Sequence, residues 1–203
     1  MTFSFTEGHS DPTVQPVPAS VVQQVDAADT TLSNPRRAVI SIGANLGNRL
    51  ETLQGAIDAL EDTPGVRIKA VSPVYETVPW GVDPNSQPSY FNAVVVLKTT
   101  LPPSSLLERA HAVEEAFHRV REEHWGARTI DVDIVAYADV VSDDPVLTLP
   151  HPRAHERAFV LAPWHDVEPE AQLPGRGAVA ALLDAVTRDG VAPRKDLELR
   201  LPE

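Results

Sequence analysis

The run YFNAVVVLKT, residues 90–99, narrows the choice of fold more than any other stretch. It is apolar almost throughout, so it reads as a strand central in a sheet. The segments around it supply its neighbours. RRAVISIG reads as a short strand and ANLG as a loop; a helix follows from about Asn48, with Leu50, Leu53, Ile57 and Leu60 at helical spacing. GVRIKAVSPVYET reads as one strand, and VPWGVDPNSQPS as a loop dense in turn residues. A second helix begins near LPPSS, where Pro and Ser are start signals, and carries Leu106, Ala110, Val113, Phe117 and Val120 on one stripe. After the linker REEHWGAR comes the strand RTIDVDIVAY. Its alternation predicts Val132, Ile134 and Ala136 on one face and Asp131 and Asp133 on the other.

The order strand, helix, strand, strand, helix, strand predicts an α+β fold, a ferredoxin-like βαββαβ antiparallel sheet with two helices packed on one face. HPRAHERAFVLAPWHDVEPE reads as short helical pieces broken by prolines, and GAVAALLDAVTRDG as a surface helix ended by Gly190; together they form a C-terminal helical extension. The 203 residues suffice for one domain with a substantial core. Residues 1–35 are polar, acidic and proline-bearing, with no Lys or Arg, and read as a disordered leader. The domain then covers residues 36–190, and residues 191–203 form a tail.

A formal net charge of −12 argues against a protein that coats nucleic acid. The start of the chain lacks the basic and apolar regions of a signal peptide, and no segment approaches the roughly 20 apolar residues of a membrane span. The absence of cysteine removes disulfides and thiolate metal sites. The expectation is a cytoplasmic monomer that binds neither nucleic acid nor membrane.

Two carboxylates on one strand face repel unless something positive lies between them. Asp131 and Asp133 are therefore either a solvated strand face paired with Arg128 or a metal site. Arg119, Arg121 and Arg128 bracket the linker before the strand. Carboxylates beside guanidinium groups suit a metal-bound polyphosphate, because Mg²⁺ takes one or two carboxylates plus phosphate oxygens while Arg forks grip the rest. No G-x-x-x-x-G-K-[ST] and no G-x-G-x-x-G occurs; GANLGN reads as a tight turn into a helix. His151 and His155 stand four apart, but Pro152 lies between them, which disfavours zinc. Trp80, Tyr90, Phe91, Trp125 and Phe159 fall in or beside loops and strand ends, as does Asn92. An amide among aromatic faces suits a flat heterocycle.

WGARTIDVDI, together with SIGANLGNR, YETVPWG, QPSYFNAVV and LPHPRAHERAFVLAP in that order, resembles the 6-hydroxymethyl-7,8-dihydropterin pyrophosphokinase family over roughly residues 38–173. The resemblance implies transfer of the β,γ-diphosphate of ATP to a pterin alcohol in folate biosynthesis, with two Mg²⁺ ions on Asp131 and Asp133. It implies that Arg119, Arg121 and Arg128 contact the ATP phosphates, Arg119 and Arg128 mattering most for chemistry, and that Glu114, His151 and Arg157 belong to the nucleotide site. Tyr90 and Phe159 would sandwich the pterin, Asn92 would bind its edge, and the backbone around Thr77, Val78 and Trp80 would complete the pocket, with Trp125 closing over both ligands. Val78 stands where a proline is common, His111 where a glutamine often contacts the adenosine side, and Val146 where some members carry a basic residue. A nucleotidyltransferase or phosphohydrolase using the same carboxylates is the rival enzyme, and a ligand-sensing or RNA-binding module the non-catalytic rival.

Overall fold

The computed structural model describes residues 34–79, 87–117 and 129–202. The leader expected over residues 1–35 lies outside the described residues, except for Asn34 and Pro35. Strand β1 (Arg36–Ala44) leads into helix α1 (Arg49–Glu61), where the Asn48 side chain caps the first turn by accepting from the Glu51 N–H. Leu53, Ala56, Ile57 and Leu60 form its buried stripe. Strands β2 (Val66–Val71), β3 (Tyr75–Thr77) and β4 (Tyr90–Thr99) follow, then helix α2 (Pro103–Ala116) with proline in its first turn, and strand β5 (Asp131–Tyr137).

Among the described residues these strands form one antiparallel sheet in the order β5, β1, β4, β3, with β2 also paired to β4. This is the ferredoxin-like arrangement expected from the order of elements. The stretch GVRIKAVSPVYET is two strands rather than one, because Pro73 has no N–H to give the ladder. Ser72 bridges the break, its N–H donating to the Val94 carbonyl while its hydroxyl accepts from the Val94 N–H.

Helices α1 and α2 cover one face, packing on Ile40, Ile42, Val95, Leu97, Val132 and Ile134. The other face is covered by the C-terminal extension, which comprises a 3₁₀ turn (Ala154–Glu156), helix α3 (Ala158–Val167), the hairpin β6 (Gln172–Leu173) and β7 (Gly177–Ala178), and helix α4 (Val179–Ala185). Val39, Val94 and Val96 pack there against Val160, Leu161 and Trp164. Coverage on both faces explains the apolar run of β4, since alternate residues serve opposite cores. Each fully buried Val or Leu contributes about 1.5–3 kcal/mol.

Three further expectations need correction. Ala136 does not share a face with Val132 and Ile134: a bulge opposite Val39 and Ile40 makes Val135 and Ala136 both face the α3 side. Prolines do not break the stretch after His151 as expected, for α3 runs through Pro163 because burial of Leu161 and Trp164 on either side outweighs the lost hydrogen bond. Helix α4 ends at Ala185 rather than Gly190, which at φ 72° turns the chain into strand β8 (Val191–Pro193) on the outer edge of β3. No helix among the described residues is long and apolar enough to cross a membrane.

Trp164 is fully buried and its indole N–H donates to Glu168, which in turn pairs with Arg37 of β1. Trp164→Ala is expected to lower unfolding free energy by about 3–5 kcal/mol, measured by urea denaturation. A loss under 1 kcal/mol would show that the extension is not part of the cooperative core.

Candidate active site

Strand register sets the site. Asp131 is opposite Gly43, Gly43 is opposite Asn92, and Asn92 is opposite Tyr75, so four residues form one row across β5, β1, β4 and β3. Directly paired residues share a face, and two strand spacings separate Asp131 from Asn92 by about 10 Å. Gly43 sits between them. A Cβ there would come within 2.6 Å of the Asn92 amide oxygen, so the absence of a side chain makes room for the amide to lie across β1. Sequence reasoning placed GANLGN in a turn and missed Gly43; a glycine inside an apolar strand was the available signal.

On the β5 side, a cleft of about 360 Å³ is lined by His111, Glu114, Asp131, Asp133, His151 and Arg157, with the exposed Val146 at its mouth. Edge strands leave N–H groups unpaired, and the buried Glu114 of α2 takes up one of them, accepting from the Val132 N–H at 2.9 Å between the two aspartates. The bulge acts similarly on the following loop, where the Val135 carbonyl accepts from the His151 N–H at 2.9 Å. That bond brings the His151 Nε2 to 3.9 Å and the Arg157 guanidinium to 3.6 Å from the Asp133 carboxylate.

Burial, reinforced by the Arg157 charge, pushes the His151 imidazole down to about 4, so it is neutral at pH 7. Its Nδ1 accepts from the Arg153 N–H at 3.1 Å, which leaves the proton on Nε2, facing the cleft. The site therefore offers carboxylates for a cation, and a neutral N–H and a guanidinium for anionic oxygens. Among the described residues no group of three or more His, Cys, Asp and Glu side chains could hold a metal alone. Two carboxylates suit Mg²⁺, which keeps few protein ligands and completes its shell with water and phosphate oxygens. His155 stands apart, 3.4 Å from Glu156.

At the β3 side the buried Asn92 amide donates to the buried Thr77 hydroxyl at 2.7 Å, which fixes the amide's orientation and leaves its oxygen directed over Gly43. Tyr90 is half-buried, its hydroxyl 3.3 Å from Gln87. The buried Asn45 holds the same Gln87 and the Pro88 carbonyl, tying the segment before β4 to the end of β1. Phe159, in the first turn of α3, has the Arg157 guanidinium 5.5 Å from its ring centre. Val78 is exposed at the end of β3.

Of the residues singled out from sequence, the structure thus brings Glu114, Asp131, Asp133, His151 and Arg157 into one cleft, and Thr77 and Asn92 into one hydrogen-bonded pair. Trp80, Arg119, Arg121, Trp125 and Arg128 lie outside the described residues.

The family model for 7,8-dihydro-6-hydroxymethylpterin-pyrophosphokinase (HPPK) matches residues 39–169. A 2-amino-4-hydroxy-6-hydroxymethyldihydropteridine pyrophosphokinase of Methylorubrum extorquens is 41% identical over 146 residues, covering 72% of this chain and 91% of its own length. The Mycobacterium leprae protein of the same name is 42% identical over 172 residues, covering 76% and 87%, respectively. The fold is similar to that of a Plasmodium falciparum HPPK-DHPS crystal structure, with a TM-score of 0.61 and 18% identity over 77% of this chain; this chain spans only 45% of that longer one. The match of the family model over most of the described domain and the identity to full-length relatives show that this chain belongs to the 7,8-dihydro-6-hydroxymethylpterin-pyrophosphokinase family of enzymes.

Proposed function

We propose that this pyrophosphokinase transfers the β,γ-diphosphate of ATP to 6-hydroxymethyl-7,8-dihydropterin, giving AMP and the pterin diphosphate. The observation that carries this reading is the row of Asp131, Gly43 and Asn92, which sets a cation-binding carboxylate and an amide for a heterocycle edge about 10 Å apart on one sheet face. That span suits a pterin whose hydroxymethyl group points toward a nucleotide's phosphates. Family membership supports the same reaction class.

Asp131 and Asp133 would hold two Mg²⁺ ions, which when bound would supply positive charge against the triphosphate. His151 donates a hydrogen bond from its Nε2–H to a phosphate oxygen and Arg157 supplies a guanidinium to another. Arg119, Arg121 and Arg128 supply further phosphate contacts, Arg119 and Arg128 stabilising the transferring group. Glu114 keeps β5 aligned so that both aspartates face the nucleotide. Asn92 binds the pterin edge, Tyr90 and Phe159 stack on its faces, the backbone around Thr77, Val78 and Trp80 completes the pocket, and Trp125 contacts both ligands. The alcohol oxygen forms its bond to the β-phosphorus and gives its proton to solvent as the bond from that phosphorus to the oxygen it shares with the α-phosphorus breaks, that oxygen leaving with AMP. Catalysis is then mainly positioning and charge stabilisation, with no protein base assigned.

Incubation with ATP, Mg²⁺ and the pterin is expected to give AMP that depends on both pterin and metal. ADP, or AMP formed without pterin, would contradict the reading. Asp131→Ala and Asp133→Ala are each expected to lower kcat by at least about 10²-fold with an unchanged circular dichroism spectrum. Wild-type turnover in either variant would remove the metal assignment. Gly43→Ala, whose methyl group meets the Asn92 oxygen, is expected to raise the pterin KM about tenfold with the ATP KM nearly unchanged, read from steady-state kinetics.

A further inference from the structure

Strand β3 has three residues, yet it carries Thr77 and so the orientation of the Asn92 amide. Its inner edge is held by β4 and its outer edge by β8, through Tyr75 opposite Pro193, Glu76 opposite Ala192 and Thr77 opposite Val191. Two further backbone bonds close this seam, from Arg194 N–H to the Val74 carbonyl and from Val78 N–H to the Gly190 carbonyl. The end of the chain, outside the expected domain limits, thus frames one wall of the site.

The side chains repeat the pattern. Arg194 donates to one Glu76 carboxylate oxygen at 2.6 Å; the other accepts from the Ser89 hydroxyl at 2.5 Å and from Arg49 at 3.2 Å. Arg49 also donates to the Ser89 carbonyl at 2.7 Å. Glu76 therefore joins the segment just before Thr77 to the one just before Tyr90. The Ser89 hydrogen bond, opposed by burial and aided by Arg194 and Arg49, holds the Glu76 carboxyl below its ordinary value and so ionised at neutral pH. The Arg49 and Arg194 guanidinium carbons lie 3.6 and 5.3 Å from the centre of the Phe91 ring, between Tyr90 and Asn92 in sequence.

Arg194 is itself fixed from behind. Asp196 accepts from it at 2.9 and 2.7 Å, Leu197 and Leu199 pack against the main core, and the Arg200 backbone exchanges two hydrogen bonds with the Gln54 side chain of α1. A guanidinium anchored in this way holds Glu76 in place rather than following it.

Resting on the function proposed above, we propose that the C-terminal strand is a clamp on the pterin side of the site, and that Arg194, through Glu76, is a positioning residue for pterin binding. Arg194 touches neither substrate. Its loss lets β3 and Ser89 move apart, which misaligns Thr77 and Asn92 while the nucleotide cleft on β5, at the opposite edge of the sheet, keeps its shape.

The test uses the full chain and steady-state kinetics with each substrate varied in turn. Arg194→Gln is expected to raise the pterin KM about tenfold and leave the ATP KM within about twofold. Arg194→Lys, which keeps a charge beside Glu76, is expected to recover most of the loss, and Glu76→Gln, which removes the charge that Arg194 grips, is expected to raise the pterin KM alike and replaces Arg194→Gln should that variant unfold. An unchanged pterin KM in a folded Arg194→Gln or Glu76→Gln variant, or equal increases in both KM values, would overturn the clamp. A wild-type chain that forms no AMP from ATP and pterin would instead overturn the proposed reaction, and the clamp with it.

Discussion

The pairing of β1 between β4 and β5 is the constraint on which the rest of the structure depends. Ile42 lies opposite Ala93 and Val132, all three buried under α1 and α2. In a two-residue period, that burial decides the direction of every neighbour. With Val132 inside, Asp131 and Asp133 must face the opposite side; with Ala93 and Val95 inside, so must Asn92. A slip of one residue would drive both aspartates into an apolar core, at the cost of burying two charges without partners. The hydrophobic packing of one face thus aligns the chemistry on the other.

That other face is divided between core and site. Near its middle it is covered by α3 and α4, with Trp164 against the valines of β1 and β4. Beyond that core, at the start of α3, the Arg157 guanidinium lies 3.6 Å from the Asp133 carboxylate and over the Phe159 ring. The same helix that completes the core therefore presents a guanidinium to Asp133 and an aromatic ring beside it. The Val135 bulge contributes by turning the chain so that His151 meets Asp133 and by lodging Val135 and Ala136 in the second core. Burial keeps His151 neutral, so it presents an N–H there and not a second cation.

The order of elements and both helices of the first layer were legible in the sequence because each depends on a local period and a local start signal. The Asn48 cap and the Pro103 start are examples. The carboxylate pair was legible for a different reason: adjacent like charges on an otherwise apolar strand are costly without a use. What escaped depends on partners distant in sequence. The parity change at Val135 is imposed by β1, and the room above Gly43 exists only because Asn92 lies opposite. Helix α3 persists through Pro163 because a sheet face lies beneath it. Strand β8 is three partly or fully exposed residues with no period of its own, and becomes a strand only through the free edge of β3.

The central claim, that one strand row joins the two halves of the site, is tested most directly by a crystal structure of the chain with Mg²⁺, the pterin and an ATP analogue carrying a methylene group between its α- and β-phosphorus atoms. The account predicts the metal ions on Asp131 and Asp133, the pterin edge on Asn92 between Tyr90 and Phe159, and the hydroxymethyl oxygen above β1 directed at the β-phosphorus. A pterin bound away from Asn92, or metal ions held without either aspartate, would contradict it.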